Sequence, residues 1–316
     1  MIDVTDRHCR FFHRLLAPNA LLYTEMISTG AILHGNVNKH LDFNVQEHPV
    51  ALQLGGSDPI ELSKAASIGQ KWGYSEINLN CGCPSQRVQK GSFGACLMAD
   101  PALVADCCKA MQDTVDVPVT IKHRLGLDYD ENYGLVRDFV GVLFDAGINV
   151  FIVHARNAVL KGLSPKQNRD IPPLRYDVAE RLKNDFPTAV FVLNGGISQI
   201  DQAVSFSSQF DGVMLGRAAW HTPEILRSLH SIMWPNVPLK SKGQILNEMI
   251  LYAENQLKNG VPLRFIARAM LGWPTGMKGA RQWRRSLSDA DLLNTNNVSI
   301  LEKAWRDLQV CNRQKA

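Results

Sequence analysis

Polar side chains that bind ligands or move protons recur at the ends of short apolar runs. Gln53 lies in Val50–Leu54, Asn78 and Asn80 in Ile77–Asn80, Lys122 in Val119–Lys122, His154 in Val150–His154 and Asn194 in Val190–Asn194. A strand buried on both faces is otherwise apolar, so amide, ammonium and imidazole groups at successive strand ends point to one shared site. Taken singly each also suits a structural role, His154 included. Asn194-Gly195-Gly196 and Gly216-Arg217 add main-chain N–H groups that no side chain shields, with a guanidinium beside them. That pair suits a phosphate group, although turn glycines alone would look the same. The segment Asn78-Leu79-Asn80-Cys81-Gly82-Cys83-Pro84-Ser85 carries two thiols into a strand-to-loop turn. Without a second paired cluster it lacks zinc spacing, and no metal is expected. A reactive thiol here serves as nucleophile or as general acid, and Cys83, deeper in the loop and followed by Pro84, is the better placed. Cys81 and the other five cysteines read as small buried hydrophobes.

Positioning those groups requires an alternating α/β frame. Seven strand-like runs are predicted: the five above, Leu21–Thr24 and Gly212–Leu215. Helical patterns separate them, among them Asp58–Gly73, Pro101–Thr114, Glu131–Ala146 and Val178–Phe186. Such alternation implies a parallel sheet, and its closed form is the TIM (β/α)8 barrel, whose chemistry sits where strands end. A first helix, Asp6 to Leu16 with Thr5 as N-cap, starts almost at once, so the first barrel strand is expected to precede Met1 and to be missing from this chain. Beyond Pro235 and Pro238 the pattern turns wholly helical, with Ile245–Lys258, Leu263–Leu271, Gly279–Leu287 and Val298–Val310. The reading is a barrel domain over 1–235 and an all-α domain over 241–316.

Composition limits the function classes. With 45% hydrophobic and 20% charged residues in 316, the chain is globular rather than fibrous or disordered. Seven cysteines, two of them adjacent at 107 and 108, argue against a disulfide framework, and no apolar stretch reaches the roughly 18 residues of a membrane span. A soluble, cytoplasmic protein is expected. The net charge is only +4, yet residues 241–316 hold twelve Lys+Arg against six Asp+Glu. Between Arg264 and Arg285 six cations meet no acidic residue and alternate with Trp273 and Trp283. That is the composition of a nucleic-acid-facing surface, and equally of a solvated helix face over two core tryptophans.

Together these residues resemble a known family. Gln53-Leu54-Gly55-Gly56, Asn80-Cys81-Gly82-Cys83-Pro84-Ser85, Lys122-His123-Arg124-Leu125-Gly126, His154-Ala155-Arg156, Asn194-Gly195-Gly196 and Gly216-Arg217, in this order, resemble the tRNA-dihydrouridine synthases over nearly the whole chain. The stretch from Gly162 to Leu174 and Arg281-Gln282-Trp283-Arg284-Arg285 look like the bacterial A-type branch.

The resemblance implies an FMN-binding barrel, a helical tRNA-binding domain, and NADPH-driven reduction of D-loop uridines 20 and 20a to 5,6-dihydrouridine. Carried over by motif, Gln53, Lys122 and His154 contact the flavin, Asn194, Gly195, Gly196, Gly216 and Arg217 hold its phosphate, and Cys83 is the proton donor. The family pattern continues upstream with Ala-Pro before a Met that matches Met1, which places Met1 at the flavin as well. The tRNA-contacting set is Arg124, Lys166, Asn168, Arg169, Arg264, Arg268, Lys278, Arg281, Arg284 and Arg285. A monomer binding tRNA, with neither DNA nor membrane as partner, is expected. The rival readings are an FMN barrel that reduces a small molecule and a non-catalytic tRNA-binding protein.

Overall fold

The computed structural model describes residues 1–313. Seven strands, β1 (Leu22–Ser28), β2 (Val50–Gly55), β3 (Glu76–Cys81), β4 (Val119–Arg124), β5 (Val150–His154), β6 (Val190–Asn194) and β7 (Gly212–Met214), form one sheet in sequential order. Each pair from β2 to β7 is parallel. Helices Pro59–Lys71, Pro101–Gln112, Tyr133–Asp145, Tyr176–Asp185 and Ile200–Gln209 alternate with the strands. This is the TIM-barrel type of α/β frame with a helical C-terminal region. Helix starts follow local chemistry: the Asp58 and Asp100 carboxylates accept from the N–H groups of Glu61 and Leu103, each with proline at the first helical position. Helix Ile200–Gln209, with three serines, lies between β6 and β7.

By its contacts the chain forms two compact units. The first holds Met1, Tyr23–Phe43 and His48–Gly216; the second holds Ile2–Leu22, Asn44–Glu47 and the chain from Arg217 onward. The division therefore does not coincide with the 235–241 boundary suggested by Pro235 and Pro238. The physical reason lies in helix Arg7–Leu16, whose Phe11, Phe12, Leu15 and Leu16 join the core of the C-terminal helices. Phe11 stacks on Tyr252 at 3.9 Å and Phe12 meets Trp273 edge-on at 5.4 Å. The helix is capped by Asp6, whose carboxylate accepts from the Cys9 N–H at 2.9 Å, rather than by Thr5.

Arg10 and Arg14 of that helix are buried and held within the same unit. Arg10 donates Nε to Glu47 Oε2 at 2.7 Å, and Arg14 donates to the carbonyls of Ala17 and Glu47. At the centre of the unit, Trp273 stacks on Trp305 at 5.1 Å and meets Trp283 edge-on at 6.0 Å, while Trp283 Nε1 donates to the Met270 carbonyl at 2.9 Å.

Trp283 is 1% exposed, and removing an indole from such a core leaves a cavity and an orphaned carbonyl. Trp283→Ala is expected to lower unfolding free energy by about 3–5 kcal/mol, whereas Gln282→Ala on the exposed side of the same turn stays within about 0.5 kcal/mol. Denaturant titrations of both variants check this, and equal losses would place Trp283 outside the core.

Candidate active site

The sheet register brings the polar strand ends together. Gln53 pairs with Asn78, Asn78 with Thr120, Asn80 with Lys122, Arg124 with His154, and His154 with Asn194. Side chains alternate along a strand, so Asn78 and Asn80 share one face of β3 while Cys81 points to the other. The hydrogen bonds agree: Gln53 Nε2 donates to Asn78 Oδ1 at 2.9 Å and Asn80 Nδ2 to Gln53 Oε1 at 2.7 Å. Cys81 is fully buried, and burial, with Cys108, Cys107 and Cys96 in the same sense, holds its thiol well above the ordinary range. It is an inert packing thiol.

Cys83 is half-buried and held by main-chain contacts. Asn80 Oδ1 accepts from the N–H groups of Gly82 at 3.0 Å and Cys83 at 2.9 Å, and the Cys83 carbonyl accepts from Ala95 N at 2.9 Å. Asn80 thus closes an Asx turn that aims the thiol-bearing loop. Lys122 reaches the same region: burial pushes its ammonium down to about 8, Arg124 pushes the same way and Cys83 acts in the opposite sense. Its strand position opposite Asn80, the residue that holds the turn, puts Lys122 next to the Cys83 loop.

Arg124 is 3% exposed, and burial pushes its guanidinium down to about 10. It donates Nε to Gly82 O at 3.2 Å and Nη1 to Asn157 O at 3.2 Å and Asn168 O at 3.0 Å. Asn168 is fully buried, accepting from Val159 N at 2.7 Å and donating to Val159 O at 2.9 Å. Both residues, expected in the RNA-contacting set, are buried in this structure and tie the loops after β3, β4 and β5 together. Arg156 joins this scaffold by donating to the carbonyls of Asp170 and Pro172.

The glycine-rich ends behave as backbone-shaped positions. Gly195 has φ +112°, and a Cβ there would lie 2.6 Å from His154 Cδ2. Gly196 has φ +68°, and its Cβ would meet Leu174 Cδ1 at 2.5 Å and the Tyr176 hydroxyl at 3.0 Å. Tyr176 OH donates to Gly195 O at 2.7 Å, fixing the turn. Asn194 Nδ2 donates to Met214 O at 2.7 Å, so its amide links β6 to β7. Met1 Sδ lies 3.4 Å from the position a Cβ would take on Gly216. Arg217 opens helix Arg217–His221 and is assigned to the second unit. Thus Gln53, Lys122, His154, Asn194, Gly195 and Gly196 lie along neighbouring strand ends, Met1 meets Gly216, and Cys83 sits beside Lys122. Sequence reasoning missed Tyr176 and Glu76. The alternation Glu76, Asn78, Asn80 was the available signal for the latter.

The remaining cations differ in freedom. Lys166, Arg264, Lys278, Arg281, Arg284 and Arg285 are exposed and Arg169 is half-buried. Arg264 donates to Asn294 Oδ1 at 3.4 Å, and Arg268 is paired with Asp6 at 2.8 Å. Trp273 and Trp283 are core residues, so the aromatic half of the expected basic-aromatic surface is absent there. No helix among the described residues is long and apolar enough to cross a membrane.

Comparison with known proteins agrees with this arrangement. The family model described as dihydrouridine synthase matches residues 1–309. A tRNA-dihydrouridine(20/20a) synthase of Vibrio parahaemolyticus is 49% identical over 306 residues, 96% of this chain and 94% of that protein. Proteins of the same name from Xanthomonas campestris and Pseudomonas putida are 51% identical over 289 residues (92% of this chain, 86% of that protein) and 50% over 310 (98% and 92%).

The lowered Lys122 value makes a prediction about stability. The ordinary lysine value of 10.5 falls to about 8 in the fold, so between those values the unfolded chain holds a proton that the folded chain lacks. Stability must then rise with pH across that window and carry a constant penalty below it. Denaturant titrations of the parent and Lys122→Met from pH 7 to about 10 are expected to show the parent gaining on the variant above pH ~8. A constant difference across the range would mean that Lys122 is solvated.

Proposed function

The chain belongs to the dihydrouridine synthase family and is an oxidoreductase of the flavin-dependent kind; on that premise we propose that it binds FMN, takes electrons from NADPH and reduces D-loop uridines 20 and 20a of tRNA to 5,6-dihydrouridine in the cytoplasm. The observation that carries this reading is the placement of Cys83, fixed by Asn80 and beside Lys122, among strand-end residues suited to a flavin. The donor set fits that group. Gln53 and His154 offer an amide and an imidazole, Lys122 a cation, and Gly195, Gly196 and Gly216 main-chain N–H groups with no side chain of their own. The close approach of Gly195 to His154 leaves no room for a Cβ, so ring and turn constrain each other. Arg217, directly after Gly216, supplies a charge to the phosphate.

Bound flavin supplies the hydride that adds to C6 of the uracil ring. Cys83 donates its thiol proton to C5, where the negative charge released by that addition collapses. A thiol carries a transferable proton on a soft atom that can reach a carbon centre, which suits this donor role. Asn80 holds the turn that presents the thiol. Lys122, still mostly cationic at neutral pH with its value at about 8, steadies charge on the uracil carbonyl. Arg124 and Asn168 act through the loops that they bind.

A uridine must leave its stack to reach such a site, at a cost of roughly a few kcal/mol that contacts to the tRNA body offset. Lys166 and Arg169 in the first unit, and Arg264, Lys278, Arg281, Arg284 and Arg285 in the second, serve those contacts. Arg268, tied to Asp6, contributes less.

Two experiments test this reading. Cys83→Ala is expected to lower dihydrouridine formation on unmodified tRNA by about 100-fold or more while retaining bound flavin and its reduction by NADPH. Cys81→Ala should change little, and a normal product yield from the Cys83 variant would remove the proton-donor assignment. Reversing Arg281, Arg284 and Arg285 to Glu should weaken tRNA binding and flatten its dependence on salt, by somewhat under about one unit of log–log slope per lost phosphate contact. NADPH oxidation should be unaffected, and a filter-binding slope equal to the parent's would make these arginines a solvated face only.

A further inference from the structure

Behind the Cys83 turn runs a continuous chain of buried hydrogen bonds. Tyr23 OH and Thr120 Oγ1 both donate to Glu76 Oε1, at 2.8 and 2.6 Å. Asn78 Nδ2 donates to Thr120 Oγ1 at 2.8 Å, Gln53 Nε2 to Asn78 Oδ1 at 2.9 Å, and Asn80 Nδ2 to Gln53 Oε1 at 2.7 Å. The chain ends where Asn80 Oδ1 accepts from the N–H groups of Gly82 and Cys83. Every side chain between Tyr23 and that turn is buried.

Each amide in such a chain can be turned end for end, so its direction is set only at the termini. At the loop, two main-chain N–H groups can only donate, which requires an oxygen on Asn80. At the other terminus, a carboxylate oxygen receives two hydroxyls, so Thr120 offers its lone pair to Asn78, and Asn78 must present nitrogen there. The two ends demand the same direction. Without the acceptor at Glu76, Thr120 is free to donate to Asn78. The reversed chain, with Asn78, Gln53 and Asn80 flipped and a nitrogen of Asn80 facing the N–H groups of Gly82 and Cys83, is then opposed at the loop end alone and no longer at both ends. Glu76 has no cationic partner among the described ion pairs, so charge pairing does not explain its burial.

We propose that Glu76 is a positioning residue that, through Thr120, Asn78 and Gln53, fixes the orientation of Asn80 and holds the Cys83 turn in one conformation. The proposal rests on the reading of Cys83 as proton donor, but its test reads the turn itself. Flavin-bearing full-length protein is treated with iodoacetamide, and Cys83 alkylation is followed by peptide mass spectrometry with Cys96 and Cys311 as internal references. Thr120→Val, of the same shape without the hydroxyl, and Glu76→Leu are expected to speed Cys83 alkylation at least about threefold, because the turn opens more often. They should also lower kcat for uridine reduction at least about tenfold with the KM for tRNA within about twofold, a loss confined to the chemical step. Thr120→Ser, which restores the hydroxyl, restores both rates. Parent-like Cys83 alkylation in the folded Thr120→Val variant overturns the proposal, as does faster alkylation with unchanged kcat. Should Glu76→Leu fail to fold, the Thr120 pair decides alone. An active Cys83→Ala enzyme would remove the proton-donor reading, while the alkylation contrast still reports whether the chain holds the turn.

Discussion

Burying Gln53, Glu76, Asn78, Asn80 and Thr120 inside a parallel sheet is tolerable only if their donors meet acceptors. An unsatisfied buried polar atom costs about 1–3 kcal/mol, against roughly 1 kcal/mol gained by a satisfied one. That asymmetry governs the interior of the first unit. The register that pairs Gln53 with Asn78 and Asn78 with Thr120 is also the register in which these groups reach one another. A slip of one residue on β3 would point Glu76, Asn78 and Asn80 outward and turn Ile77, Leu79 and Cys81 into the polar interior. Strand pairing and site geometry are therefore one constraint.

The same logic holds the loops above the strands. Loops carry main-chain groups with no ladder partners, and here buried side chains supply them. Arg124 serves carbonyls of Gly82, Asn157 and Asn168, while Asn168 serves both main-chain groups of Val159. A guanidinium with five donors in a rigid fork suits this use better than an ammonium. Its burial has an electrostatic consequence, because Arg124 helps to push the neighbouring Lys122 down. One side chain thus both ties the loops and tunes a neighbouring ammonium.

Much of this was legible in the sequence because period and position carry it. All seven strands were placed with starts within about two residues of those observed, and β1 alone ran four residues past its expected end, to Ser28. The strand-end polar residues and the Cys83 loop were read from the break in apolar pattern. What escaped depends on three-dimensional closeness. Nothing local tells that Arg124 and Asn168 turn inward, since a charged residue in a loop is usually solvated. Nothing local tells that helix Arg7–Leu16 joins the C-terminal helices, because its apolar stripe fits any core. Glu76 lies just outside the predicted run Ile77–Asn80, although its alternation with Asn78 and Asn80 puts it on the same interior face.

The basic tail shows why two competing readings of one composition can both hold. Trp283 lies in the short helix Ala280–Ser286, and its burial in the second core sets the rotation of that helix. Residues one position after it are turned by about 100°, and residues two positions before or after by about 200°. Positions 281, 284 and 285 must then face away from the core, and all three are exposed arginines. The tryptophan contacts no ligand surface, yet it is what presents the cations. The composition fits either a nucleic-acid-facing surface or a solvated helix face over two core tryptophans. In this unit the anchoring of the indole produces the cationic face, so the core and the surface are two sides of the same helical turn.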